Sequence, residues 1–482
     1  MCMKTLQPQK VWNYFHDITQ VPRPSKKEEK IINYLKAFAE KQLLDYKIDT
    51  AGNVLICKPA TKGYENSKIV ILQAHIDMVC EKNSDVEFNF DTDPIQTWID
   101  GDWVKARGTT LGGDNGIGMA MMLAVLSSND LKHPALECLF TVDEETGLTG
   151  AFALDNKLLK GEVLINLDSE DDGEIFVGCA GGIDTTATLP YTLEKSPEGY
   201  FSFNVTVKGL TGGHSGDDIN KGRGNANKIL NRYLWSLNKV MDLRIHAIDG
   251  GNLRNAIPRE AKATVCVPYI EKENVRVLLN HFIAELETEL GDIETNLQML
   301  LESEKLPDTV IDKKTSDALL NVLYACPHGV KAMSRDMPGL VETSTNLASI
   351  KMIPDNTMLI TTSQRSSVDS AKHDIANQVE AVLLLAGAAV THGDGYPGWK
   401  PNLNSEILTT AKDSYQKLFG VEPQVRAIHA GLECGLFLEK YPHLDMISIG
   451  PQMCGVHSPD ERLSISSTQK CWKWLVEILM NV

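Results

Sequence analysis

Four short apolar runs in this chain lead into an acid or a histidine. Residues 69–74 end at His75-Ile76-Asp77, residues 139–142 lead through Asp143 into Glu144-Glu145, residues 164–167 end at Asp168, and residues 446–450 are followed by a loop carrying His457. A further turn, Gly112-Gly113-Asp114-Asn115-Gly116, opens a helical stretch through Met119-Ala120-Met121-Met122-Leu123. Apolar runs of this length, alternating with helical stretches, predict an α/β sheet with both faces covered. The carboxyl ends of parallel strands in such a sheet converge on one crevice. If these strands are neighbours, all of the acids and both histidines reach one place.

Carboxylates so gathered need protons or cations. Two of them about 4 Å apart repel by roughly 4 kcal/mol at an effective dielectric near 20. Histidine with carboxylate suits zinc, with cobalt or manganese as substitutes. The charge count points to two ions: Asp114, Glu145 and Asp168 carry three negative charges, a bridging hydroxide adds one, and His75 and His457 stay neutral. Each piece alone has an ordinary reading. His-x-Asp is commonly a core hydrogen bond, Gly-Gly-Asp-Asn-Gly a turn with a capping aspartate, and Glu-Glu a solvated helix start. Their conjunction, each at a strand end, carries the argument.

Bulk properties exclude other classes. A chain of 482 residues is too long for one core, so two or more domains are expected. The formal net charge of -17 removes the basic footprint that nucleic acid or an anionic membrane would require. No apolar run is long enough to span a bilayer, and Met1-Cys2-Met3-Lys4 lacks the apolar core of a secretory signal. The ten cysteines are scattered without a C-x-x-C pair, which predicts reduced thiols and a cytoplasmic protein.

The pattern changes near Tyr200. Residues 201–207 alternate like a half-solvated strand, a helix is expected over 225–240, and a long helix over 275–301. Strands at 345–352 and 357–362 and helices at 316–325 and 371–385 complete an α+β set. The α/β pattern resumes after Tyr396-Pro397-Gly398-Trp399, with a final helix over 467–480. The expected organisation is a discontinuous domain of residues 1–186 and 391–482, with residues 187–390 inserted.

The order of His75-x-Asp77, Gly-Gly-Asp114-Asn-Gly, Asp-Glu144-Glu145-x-Gly, Asn-x-Asp168-Ser and late His457 resembles the aminoacylase/carboxypeptidase-type co-catalytic zinc peptidases. Longer stretches are similar to the dipeptidase branch of that family. They include Lys105-Ala106-Arg107-Gly108-Thr109-Thr110-Leu111, Gly178-Cys179-Ala180-Gly181-Gly182-Ile183-Asp184, Leu253-Arg254-Asn255-Ala256-Ile257-Pro258-Arg259-Glu260 and His429-Ala430-Gly431-Leu432-Glu433-Cys434-Gly435. The resemblance covers essentially the whole chain. It implies a mixed sheet covered by helices as the catalytic domain, an inserted α+β lid, and hydrolysis of unblocked dipeptides, including those ending in histidine.

It also implies roles. His75 and Asp168 would hold one zinc, Glu145 and His457 the other, and Asp114 would bridge both, giving two zinc ions per chain. Asp77 would orient the His75 imidazole, and Glu144 would act as general base toward the bridging water. The peptide after the bridging aspartate, Asp114-Asn115, is typically cis in the family. In the lid, His214 would stabilise the oxyanion, Asn255 and Arg365 would clamp the substrate, and Gly431 would let backbone amides approach it. Arginine suits a carboxylate through its planar fork. Family members are often dimers, so a homodimer is consistent with the resemblance.

Two alternatives stand beside the dipeptidase. One is an aminoacylase or carboxypeptidase of the same fold. The other is an inactive metal-binding scaffold, against which the intact Glu144 argues.

Overall fold

The computed structural model describes residues 3–482. The chain separates into two compact units. One runs up to Gly178 and adds Trp399–Ala427 and Leu432–Val482, and the other comprises Cys179–Gly398 with Ile428–Gly431. Divisions at 186/187 and 390/391 would cut the strands Gly181–Pro190 and Ala389–His392. The observed divisions at 178/179 and 398/399 leave both whole, the first falling at the last residue of the strand Glu174–Cys179.

The first unit is built on an eight-stranded mixed sheet. Its strands are β1 (Asp45–Ile48), β2 (Val54–Lys58), β3 (Val70–His75), β4 (Leu136–Thr141), β5 (Val163–Asn166), β6 (Glu174–Cys179), β7 (Gln424–Ile428) and β8 (Asp445–Ser448). Their spatial order is β1-β2-β4-β3-β5-β8-β6-β7. The central four, β4, β3, β5 and β8, run parallel. Every residue of β3, β4 and β5 is buried, as expected of parallel strands covered on both faces. The helix Gly113–Leu126 is apolar on all sides and wholly buried. It packs on β3 and on the helix Gln9–Thr19. The helices Glu406–Phe419 and Ile465–Asn481 pack together, the former also on β8.

A small four-stranded sheet joins two functional loops. Trp103–Ala106 precedes the Asp114 turn, and it pairs with Arg462–Ser464, which in turn pairs with Met453–Cys454. His457 lies in the connection between those last two strands.

The second unit carries a nine-stranded sheet, and every pairing in it is antiparallel. The helix Ala226–Val240 packs on its strands Tyr200–Lys208, Ala261–Pro268 and Val341–Ile353, and Asp369–Leu384 packs on Gly181–Pro190 and Thr357–Ser366. The helix expected over 275–301 is shorter. Lys272–Leu290 is helical, with Val275, Leu279, Phe282 and Leu286 buried on one stripe, and it stops before Gly291. The remainder, Gln298–Glu304, is a strand paired with Tyr200–Lys208. The run Met299-Leu300-Leu301 favours a helix locally, but pairing with a neighbouring strand decides its conformation.

Candidate active site

The strand ends of the first unit gather the residues singled out by the sequence. His75 is the last residue of β3, and Glu144, Glu145 and Asp168 follow β4 and β5. Asp114 stands at the start of the buried helix, and its peptide bond to Asn115 is cis.

Asp114 lies between two imidazoles. Its Oδ1 is 2.9 Å from His75 Nε2 and its Oδ2 is 3.2 Å from His457 Nε2. Asp168 Oδ1 stands 3.2 Å from the same His75 nitrogen, and Glu145 Oε2 stands 3.0 Å from the same His457 nitrogen. His75, Asp114 and Glu145 offer ligand atoms all within 4.8 Å of one another. Asp77 Oδ1 is 3.3 Å from His75 Nδ1 on the far side of the ring. Both oxygens of Asp77 also accept backbone N–H groups, from Glu144 at 3.0 Å and Glu145 at 3.2 Å.

Electrostatics show what this set demands. His457 is pushed up to about 11 by hydrogen bonds to Asp114 and Glu145. Burial works against protonation of His75, but Asp168 and Asp114 outweigh it and hold the ring well above its ordinary value. Burial raises Asp168 to about 6, with Asp114 adding to the shift. Protonated imidazoles are one way to balance these acids. Divalent cations would do so with neutral rings. Glu145 Oε1 is buried without a hydrogen-bond partner, while its Oε2 meets His457. Histidine nitrogens, carboxylates and an orphaned oxygen together fit a zinc-type pair.

Glu144 makes no contact with either histidine within ion-pair distance. Burial raises its carboxyl well above the ordinary range, and Asp168, Glu145 and Glu433 raise it further against His75.

Several supporting residues have no signature in the sequence. The Glu461 carboxylate accepts the backbone N–H groups of Leu111 at 2.7 Å, Gly112 at 3.1 Å and Gly113 at 2.7 Å, cradling the turn that presents Asp114. The buried Arg23 donates to the carbonyls of Ile76, Asp77 and Gly112. A Cβ at Gly112 would lie 2.6 Å from the Arg23 guanidinium, so glycine there serves this packing as well as its positive φ of 69°. Behind the strand ends, Glu433 Oε2 accepts from Gln73 at 2.6 Å and Thr141 at 2.8 Å, and Gln73 accepts from Asn166 at 2.5 Å. The one available signal was the polar Gln73, Thr141 and Asn166 inside apolar strands, which requires buried partners.

The residues expected to hold substrate lie in the second unit. His214 sits in a two-residue strand pairing with Ala256-Ile257. Arg365 is buried, with Nη1 donating to the Tyr396 hydroxyl at 2.9 Å and Nη2 lying 3.4 Å from His214 Nε2. Its Nε has no partner, and among the described residues no acid pairs with it. Arg365, Asn255, Ser363 and Tyr396 line a cavity of about 300 Å³. Asn255 itself is exposed. A Cβ at Gly431 would lie 2.8 Å from the Tyr396 ring, so the glycine packs directly on that ring.

Fold and site together define a metallopeptidase, and the chain belongs to peptidase family M20/M25/M40, whose profile matches residues 71–481. It is 45% identical over 480 residues to the cytosol non-specific dipeptidase of Escherichia coli (strain K12), covering 100% of this chain and 99% of that protein. The crystal structure of aminoacylhistidine dipeptidase from Vibrio alginolyticus superimposes with a TM-score of 0.93 at 45% identity, over 100% of this chain and 98% of that one. A tripeptidase from Staphylococcus aureus shares the fold at a TM-score of 0.57 and 17% identity, over 99% and 98% of the two chains. Among the described residues no helix is long and apolar enough to cross a membrane.

Proposed function

We propose that this chain is a cytosolic dizinc dipeptidase that cleaves unblocked dipeptides, those ending in histidine included. The observation that carries the reading is Asp114, whose two oxygens face His75 and His457, with Asp168 beside the first imidazole and Glu145 beside the second. One ion would be held by His75, Asp168 and Asp114, the other by His457, Glu145 and Asp114. Zinc suits these donors best, with cobalt or manganese as substitutes. Bound there, the ions would supply Lewis acidity toward the scissile carbonyl and acidify the attacking water.

The chain's own groups do the rest. Asp77 fixes the His75 ring from behind and holds the Glu144-Glu145 turn through two backbone amides, which separates the tasks of the adjacent glutamates. Glu145 lies beside His457 and would hold an ion with it, while Glu144 takes the proton from the attacking water and delivers it to the leaving amine. His214 would stabilise the oxyanion. Arg365, a buried cation lacking an acid, would receive the substrate's terminal carboxylate. A seat that requires this carboxylate next to the cleaved bond sets cleavage one residue from the C-terminus, and the preference for dipeptides over longer chains rests on the similarity to the two dipeptidases.

Hydrolysis of matched dipeptides, tripeptides and N-acetyl amino acids by the metal-loaded protein tests the assignment. Dipeptides should be cleaved most efficiently. Comparable rates on tripeptides would remove the length selection, and preference for N-acetyl amino acids would make the chain an aminoacylase.

A further inference from the structure

We propose that the Tyr396 hydroxyl is a second donor to the substrate's terminal carboxylate, beside Arg365. The inference rests on the reading of Arg365 given above. Tyr396 oxygen accepts from Arg365 Nη1 at 2.9 Å, and its own proton finds no acceptor among the described residues. A buried phenol normally places that proton on a partner. Burial holds this phenol above its ordinary range despite the neighbouring guanidinium, so the proton is retained at neutral pH. Accepting a hydrogen bond from a cation also strengthens a hydroxyl as a donor.

The hydroxyl is held in place from several directions. The main chains of Tyr396 and Gly182 exchange two hydrogen bonds, at 2.8 and 3.1 Å, and Lys372 Nζ donates to the Tyr396 carbonyl at 2.9 Å. The ring lies against two glycines: a Cβ on Gly182 would stand 2.7 Å from it and one on Gly431 2.8 Å. The backbone thus makes room for a ring at one position, and the ring's polar end meets Arg365 at the cavity of about 300 Å³ that both line. Arg365 Nε is a second buried donor without a partner. Asp184, paired with Arg254 at 3.0 Å, and Asp394 also line this cavity, so the seat for a carboxylate is confined to the Arg365 and Tyr396 end, where two donors of different types meet and can serve its two oxygens.

Tyr396→Phe tests this because it keeps the ring and deletes only the hydroxyl. Steady-state kinetics on a dipeptide and the matching dipeptide amide give the comparison. The variant should lose roughly tenfold or more in kcat/KM on the dipeptide, as for a hydrogen bond to a charged group, and change little on the amide, with its thermal midpoint preserved. If the amide turns over too slowly to read, competitive inhibition by the product amino acid and by its amide supplies the same pair. Equal losses on both ligands, or no loss on the dipeptide, would overturn the inference and leave Tyr396 a packing residue. Arg365→Ala measured in parallel separates the two claims. Equal losses there remove the carboxylate seat itself, whereas a dipeptide-selective loss there beside an unselective Tyr396→Phe removes only the role of Tyr396.

Discussion

Asp77 accepts the backbone N–H of Glu144 at 3.0 Å, so the residue behind the His75 imidazole also fixes the turn that carries the proposed base. One buried carboxylate therefore couples two strand ends. Ser25 adds a further hydrogen bond to it at 2.8 Å.

Asp77→Ala should damage both functions at once. Metal affinity is expected to weaken by about 10–100-fold, the usual cost of losing a partner that orients a ligand. kcat should fall as well, because the turn bearing Glu144 loses two anchors. Chelator competition and steady-state kinetics on one preparation check both. A fall in affinity with kcat intact would confine Asp77 to the imidazole.

Glu461→Ala should loosen the Asp114 turn. The carboxylate serves three backbone amides within 3.1 Å, and each buried amide left without a partner costs about 1–3 kcal/mol. A lowered thermal midpoint and weaker metal retention on dialysis are expected, with Glu461→Gln intermediate because it keeps one acceptor. An unchanged midpoint in Glu461→Ala would show that water replaces the cradle.

His429 gives a pH dependence with a definite sign. Burial, aided by Arg365, depresses its folded-state value to about 3, and its Nε2 lies 2.7 Å from Ser344 Oγ. Below about pH 6.5 the unfolded chain takes up this proton and the folded chain does not. The contribution is complete above pH 6.5 and is lost as pH falls toward 3, by up to about 1.4 kcal/mol per pH unit. His429→Gln should flatten the dependence of the thermal midpoint between pH 6.5 and 4 relative to the unaltered chain. Identical slopes would contradict the depressed value.

The sequence made the acids and His75 legible because each follows a strand end or opens a helix, and parallel topology brings such ends together, whereas His457 lies in a loop between two antiparallel strands. Asp114 and His457 are far apart in the chain, yet the small sheet pairing Arg462 with Lys105 joins the loops that carry them. Glu461 and Arg23 were not legible. Their partners are main-chain groups, which carry no side-chain identity and lie up to 350 residues away. Tyr396 stood out in the sequence only as part of the stretch after which the α/β pattern resumes, since its value depends on two glycines from distant segments that pack on its ring. The strand Gln298–Glu304 was missed because a Met-Leu-Leu-Glu run reads as helix until Tyr200–Lys208 supplies a pairing edge.

The division of labour between adjacent glutamates is the central claim, and Glu144→Gln with paired metal analysis tests it most directly. Glutamine keeps the shape of the side chain and cannot take the proton. The account predicts that the variant retains two metal equivalents per chain, matching the unaltered protein, while kcat on a dipeptide falls by about 10²–10⁴-fold. Loss of metal on this substitution would make Glu144 a ligand, and near-normal turnover would show that the proton is carried by another group.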